Sequence, residues 1–137
     1  MSYLLDTNVV SETFRVRPDA RVLAWIGTIP SNAMHISVMT LGEIRKGVEM
    51  SPEGPRKEAL RNWLDQDVPV WFGPAILPVT QDVAARWGRL LAEVGRSVPI
   101  VDSLIAATAL YHRLKLVTRD KKGFRFPGLQ VIDPWQS

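Results

Sequence analysis

The chain has 137 residues, 46 % hydrophobic and 23 % charged, with no cysteine and two histidines. That is long enough for one domain with a real core, and it excludes disulfides, thiolate metal sites and a histidine-rich zinc centre. Net charge is +3, from 17 basic and 14 acidic residues, a balance that suits a partner with a phosphate backbone and is equally ordinary for a small domain without one.

No apolar run is long enough to span a bilayer. Asp6 and Asn8 interrupt the apolar start, so the N-terminus does not read as a signal peptide. A cytoplasmic protein with no membrane contact is expected.

In chain order, residues 2–5 read as a short buried strand ending at Asp6, and residues 9–14 as a short helix. Asp19 caps a helix carrying Val22, Leu23, Trp25 and Ile26, and Pro30 ends that segment. Residues 34–37 are a second strand. From Val38 the apolar period becomes helical, with Leu41, Ile44 and Val48 on one stripe. Ser51-Pro52-Glu53-Gly54-Pro55 breaks the chain, and residues 56–65 repeat leucine at helix spacing. Residues 75–79 form a third strand. Thr80 opens an amphipathic helix with Val83, Trp87, Leu90 and Leu91, closed by Gly95. Residues 101–114 are apolar on nearly every side and predict a buried helix. Residues 115–118 and 129–132 supply the fourth and fifth strands. Strands alternating with helices predict an α/β fold in three layers, α/β/α, around a mainly parallel sheet of four to five strands. No repeat, low-complexity tract or linker divides residues 1–137, which read as one domain.

Four acids sit at element boundaries: Asp6, Glu43, Asp102 and Asp120. In a parallel sheet, Asp6 after the first strand and Asp120 after the fourth emerge on the same edge, where the functional crevice of open α/β sheets lies. Asp102 falls in the first turn of the buried helix. Its neighbours at helical spacing, Ile105, Ala106 and Ala109, are apolar, which turns it inward. Glu43 is early in its own helix. Taken singly, each acid has a simpler role as a cap or a partner of a helix dipole. Taken together, buried carboxylates repel one another unless a cation joins them, and oxygen ligands select a hard divalent ion.

These residues resemble a known family. Leu4-Leu5-Asp6-Thr7-Asn8, Leu41-Gly42-Glu43-Ile44 with Gly47, Pro99 through Ala109 around Asp102, and Thr118-Arg119-Asp120 with Phe124 are similar to the four motifs of PIN-domain proteins. The match covers essentially the whole chain and is nearest to VapC-type toxins, including the FitB-like branch. The resemblance implies a PIN-like sheet sandwiched by helices and a ribonuclease dependent on Mg²⁺ or Mn²⁺. It also implies a homodimer and a small antitoxin, VapB- or FitA-like, through which alone the protein meets operator DNA. One position departs from the pattern. Many relatives carry an acid or histidine just before the phenylalanine of the last motif, and here that residue is Gly123. The acidic contribution of this loop falls to Asp120, and a second metal has fewer ligands to draw on.

On this reading Asp6, Glu43 and Asp102 hold the ion directly or through water, with Asp120 nearby. Thr7 orients a carboxylate or the attacking water, and Asn8 holds the Asp6 loop or contacts substrate. Arg119, Lys121 and Lys122 are candidates for RNA phosphate contacts, with a solvated loop as the alternative. His35, His112 and the tryptophans 25, 63, 71 and 87 are read as structural. Two other readings compete. One is a catalytically weak scaffold acting mainly through antitoxin binding and operator regulation. The other is a phosphotransferase, which calls for a second aspartate where this chain has Asn8.

Overall fold

The computed structural model describes residues 1–136; Ser137, the last residue of the expected domain, lies outside the described residues. Five strands, β1 (Tyr3–Leu5), β2 (Met34–Ser37), β3 (Ile76–Leu77), β4 (Lys115–Val117) and β5 (Val131–Ile132), form one sheet in the order β3-β2-β1-β4-β5. Every pairing is parallel, with Leu4 opposite His35 on one side and Leu116 on the other.

Alternation along each strand divides the core into two layers. Leu4 and Leu116 face one cluster, with Leu90, Ile105, Ala106 and Phe124. Leu5 and Val117 face the other, with Val9, Val22, Ile44, Val48 and Trp63. The first cluster lies under α6 (Gln81–Val94) and α7 (Ile100–His112). The second lies under α1 (Thr7–Glu12), α2 (Ala20–Gly27), α3 (Val38–Met50), α4 (Pro55–Asn62) and α5 (Val68–Phe72). The expected three-layer α/β/α arrangement is therefore the observed one, with a fully parallel sheet.

The caps follow the sequence. Asp19 accepts from the Arg21 N–H, Thr80 accepts from the Val83 N–H, and Gly95 closes α6 in the left-handed region at φ 67°. Element lengths differ in places. Helix α1 starts at Thr7 rather than residue 9, because Asp6 caps it, and the third strand shrinks to two residues. Beyond Asn62 the expected single helix widens into a π turn over Trp63–Asp67 before α5. Pro69 explains the change: it has no N–H to donate, and its ring excludes the carbonyl four residues back in a regular helix. No helix among the described residues is long and apolar enough to cross a membrane.

Candidate active site

The sheet order reverses direction at β1, whose neighbours β2 and β4 lead to opposite edges. A crevice opens at the carboxyl ends of the strands at such a switch point. Asp6 and Thr118 immediately follow the two strands that flank it, and the Asp6 N–H extends the ladder to Val117 O at 2.9 Å.

Asp6 is the floor of the site, with 7 % of its surface exposed. Its Oδ1 accepts from the Thr7 N–H at 2.8 Å, and its Oδ2 accepts from the Thr118 hydroxyl at 2.8 Å. Burial pushes its carboxyl up to about 6. The bonds from Thr118 and Thr7 oppose that rise, while the charges of Glu43 and Asp102 add to it. Glu43 is half-buried on α3, and its Oε1 accepts from the Thr7 hydroxyl at 2.6 Å. Asp102 is also half-buried, in the first turn of α7. Burial raises its carboxyl too, helped by the charges of Glu43 and Asp120. Asp120 is exposed at the rim. The predicted acids thus lie within electrostatic reach of one another, in a gradient from the buried Asp6 to the exposed Asp120. Among the described residues, no lysine, arginine or histidine forms an ion pair with any of them.

Asn8 ties loops together. Its amide donates to Thr118 Oγ1 at 3.2 Å and reaches Asp6 Oδ2 at 3.5 Å, and its carbonyl accepts from the Arg119 N–H at 3.4 Å. The Arg119 guanidinium lies over the Trp135 ring, 5.2 Å from its centroid, while Lys121 and Lys122 are exposed beside it. The histidines do not join the acids. His35 Nδ1 lies 3.3 Å from Tyr3 O, and with His112 and Met1 it lines a cavity on the side where the strands begin.

Sequence reasoning gave no role to Thr118. Its hydroxyl is fully buried, donates to Asp6, and accepts from Asn8 and from the Asp120 N–H at 3.0 Å. The signal was a lone polar residue closing an apolar strand, which becomes meaningful only once β4 is known to pair with β1.

The PIN domain family model matches residues 3–128. The chain belongs to the PIN-domain family. Within it, the VapC ribonuclease Y4jK of Sinorhizobium fredii is 35 % identical over 97 % of this chain and 97 % of its own. Toxin FitB of Neisseria gonorrhoeae is 36 % identical over 96 % of this chain and 97 % of its own. The structure of FitAB bound to an IR36 DNA fragment superposes with a TM-score of 0.87 at 34 % identity, covering 97 % of this chain and 95 % of that one. This PIN domain therefore sits in the VapC- and FitB-like toxin branch.

Proposed function

We propose that this PIN domain is the toxin of a toxin–antitoxin pair and an endoribonuclease that depends on Mg²⁺ or Mn²⁺. The carrying observation is the set Asp6, Glu43, Asp102 and Asp120, gathered at the switch point and, among the described residues, with no basic side chain in an ion pair with any of them. Two of these carboxyls, Asp6 and Asp102, are raised by burial and by the charges of neighbouring acids, so the metal-free site holds negative charge that a hard cation would relieve. The donor set is all oxygen, which fits Mg²⁺ or Mn²⁺ and not zinc. Among the described residues, no three carboxylates or imidazoles close on one point as a ready cage. Such an ion would be met partly through water, the usual habit of Mg²⁺.

Asp6, Glu43 and Asp102 would hold the ion, with Asp120 at the rim. When bound, the ion acidifies water and neutralises charge on the phosphodiester under attack. The Thr7 hydroxyl, by donating to Glu43, fixes which carboxylate oxygen remains free to face the site. At Asp6 the Thr7 N–H and the Thr118 hydroxyl hold one carboxylate oxygen each, and together they fix the plane of that carboxylate. Lys121 and Lys122, exposed at the rim, suit RNA phosphates, and Arg119 does so when it leaves Trp135.

The similarity to Toxin FitB and to FitAB on DNA supports a small antitoxin as partner, with DNA reached through it. An apolar groove of about 330 Å³, lined by Phe14, Ile44, Gly47, Val48, Leu60 and Trp63, suits an antitoxin segment and opens beside Thr7 and Glu43. A homodimer completes the reading, and light scattering at tens of micromolar that finds only monomer would remove it. The decisive experiment is cleavage of structured RNAs with Mg²⁺, Mn²⁺ or EDTA by wild type and Asp6→Asn. Metal-independent cleavage, or cleavage that survives Asp6→Asn, would overturn the proposal.

A further inference from the structure

Asp120 is folded back over the turn that follows it. Its Oδ1 accepts from the Gly123 N–H at 3.0 Å, while its own N–H donates to Thr118 Oγ1 at 3.0 Å. A β-carbon placed on Gly123 would collide with Asp120 Oδ2 and stand 2.9 Å from its Cγ and 3.2 Å from Oδ1. Its three nearest neighbours are all atoms of that one carboxylate. Gly123 is not among the glycines at positive φ, so its backbone does not demand glycine. What demands glycine here is the place taken by the Asp120 carboxylate.

We propose that Gly123 is a positioning residue for the acid at 120, and that residues 120 and 123 are alternative hosts for a single carboxylate at the rim of the site. The carboxylate of Asp120 fills the volume that a side chain at 123 would take. Any β-carbon at 123 evicts it, because the flexible carboxylate yields more easily than the backbone. An aspartate added at 123 therefore does not enlarge the acid set; it competes with Asp120 for one space. The same geometry makes the carboxylate transferable: with Asn at 120, an Asp at 123 can rebuild the charge from the other side of the turn.

This inference rests on the reading of the site as a metal site, and the test separates the two. The proteins are wild type, Gly123→Ala, Asp120→Asn and the double variant Asp120→Asn/Gly123→Asp, with circular dichroism confirming that each is folded. Mn²⁺ affinity by calorimetry should fall roughly ten- to a hundred-fold in Gly123→Ala and in Asp120→Asn, and return to within about threefold of wild type in the double variant. A crystal structure of metal-free Gly123→Ala should show the Asp120 carboxylate turned away from residue 123. The proposal is overturned if that carboxylate keeps its place, or if the double variant binds Mn²⁺ as poorly as Asp120→Asn. If wild type itself binds no Mn²⁺, the metal reading fails, and the Gly123→Ala crystal structure alone decides the positioning.

Discussion

The hydroxyl of Thr118 donates to Oδ2 of Asp6 at 2.8 Å, across the seam between β4 and β1 and 112 positions apart in sequence. A threonine hydroxyl has one proton and two lone pairs, and here all three are used, on Asp6, Asn8 and the Asp120 N–H. Thr118→Val keeps the shape and removes the hydroxyl. It leaves the buried Asp6 Oδ2 with only the long Asn8 contact of 3.5 Å. We expect a loss of about 1–3 kcal/mol in urea unfolding, with Thr118→Ser recovering most of it. Equal stability of the Val and Ser variants would show that the hydroxyl does not hold the site.

The raised carboxyl of Asp6 gives the metal-free protein a pH dependence of definite sign. The folded state keeps this proton up to about pH 6, whereas the unfolded chain releases it near 3.8. Below 3.8 both states are protonated and the group contributes nothing. From 3.8 to about 6 stability falls as pH rises, and above that the full cost stands at about 3 kcal/mol. Asp102, also raised, acts in the same direction. Asp6→Asn removes the Asp6 share of the dependence and leaves that of Asp102, so the stability of the variant minus that of wild type should climb across this window and then level off. A flat difference between pH 4 and 7 would mean that Asp6 titrates as an ordinary surface acid.

Much of this was legible before any coordinates, for identifiable reasons. Strand-then-acid and helix-start-then-acid are local patterns, and strands alternating with helices predicted the three layers, although only the pairing of the strands shows that Leu4 and Leu5 face opposite ones. Asp6 and Asp120 could be expected together because a parallel sheet sends its strand ends to one edge, and Asp102 could be expected to join them because its apolar neighbours on the helix turn it inward. The role of Thr118 was not legible, since it depends on β4 being the neighbour of β1, a pairing no local pattern encodes. Nor was the fit between Gly123 and Asp120, which requires knowing that the carboxylate turns back on its own loop. The π turn at Trp63–Asp67 was hidden because Leu60 and Leu64 keep helical spacing right up to the irregularity that Pro69 imposes.

Metal binding should appear as stability. A ligand that binds only the folded state at a hundred times its Kd adds about 2.7 kcal/mol. Millimolar Mn²⁺ should therefore raise the melting temperature of the wild type, and EDTA should reverse the shift. Asp6→Asn and Asp102→Asn should melt no lower than metal-free wild type, because each removes a charge that its neighbours oppose. Neither variant should respond to Mn²⁺. A wild-type melting temperature that ignores millimolar Mn²⁺ would dismiss the metal site.

Inhibition by the proposed antitoxin should use the same carboxylates. The groove between α1, α3 and α4 shares Thr7 and Glu43 with the acid cluster, so a segment lying over Ile44 and Trp63 passes directly beside it. A guanidinium is always charged and can bridge two carboxylates, which makes an antitoxin arginine the natural occupant next to Asp6, Glu43 and Asp102. Replacing that arginine with alanine should restore some RNA cleavage in a complex that still forms. Gly47 tests the groove separately: it lines the groove, and a β-carbon there meets no atom within 4 Å. Gly47→Leu should fold normally and keep the cleavage activity of the free toxin, yet weaken antitoxin binding by filling the groove. Unchanged affinity in Gly47→Leu would place the antitoxin elsewhere. A complex that stays fully inhibited after every arginine of the antitoxin segment is replaced would leave steric cover of the RNA path, rather than capture of the carboxylates, as the means of inhibition.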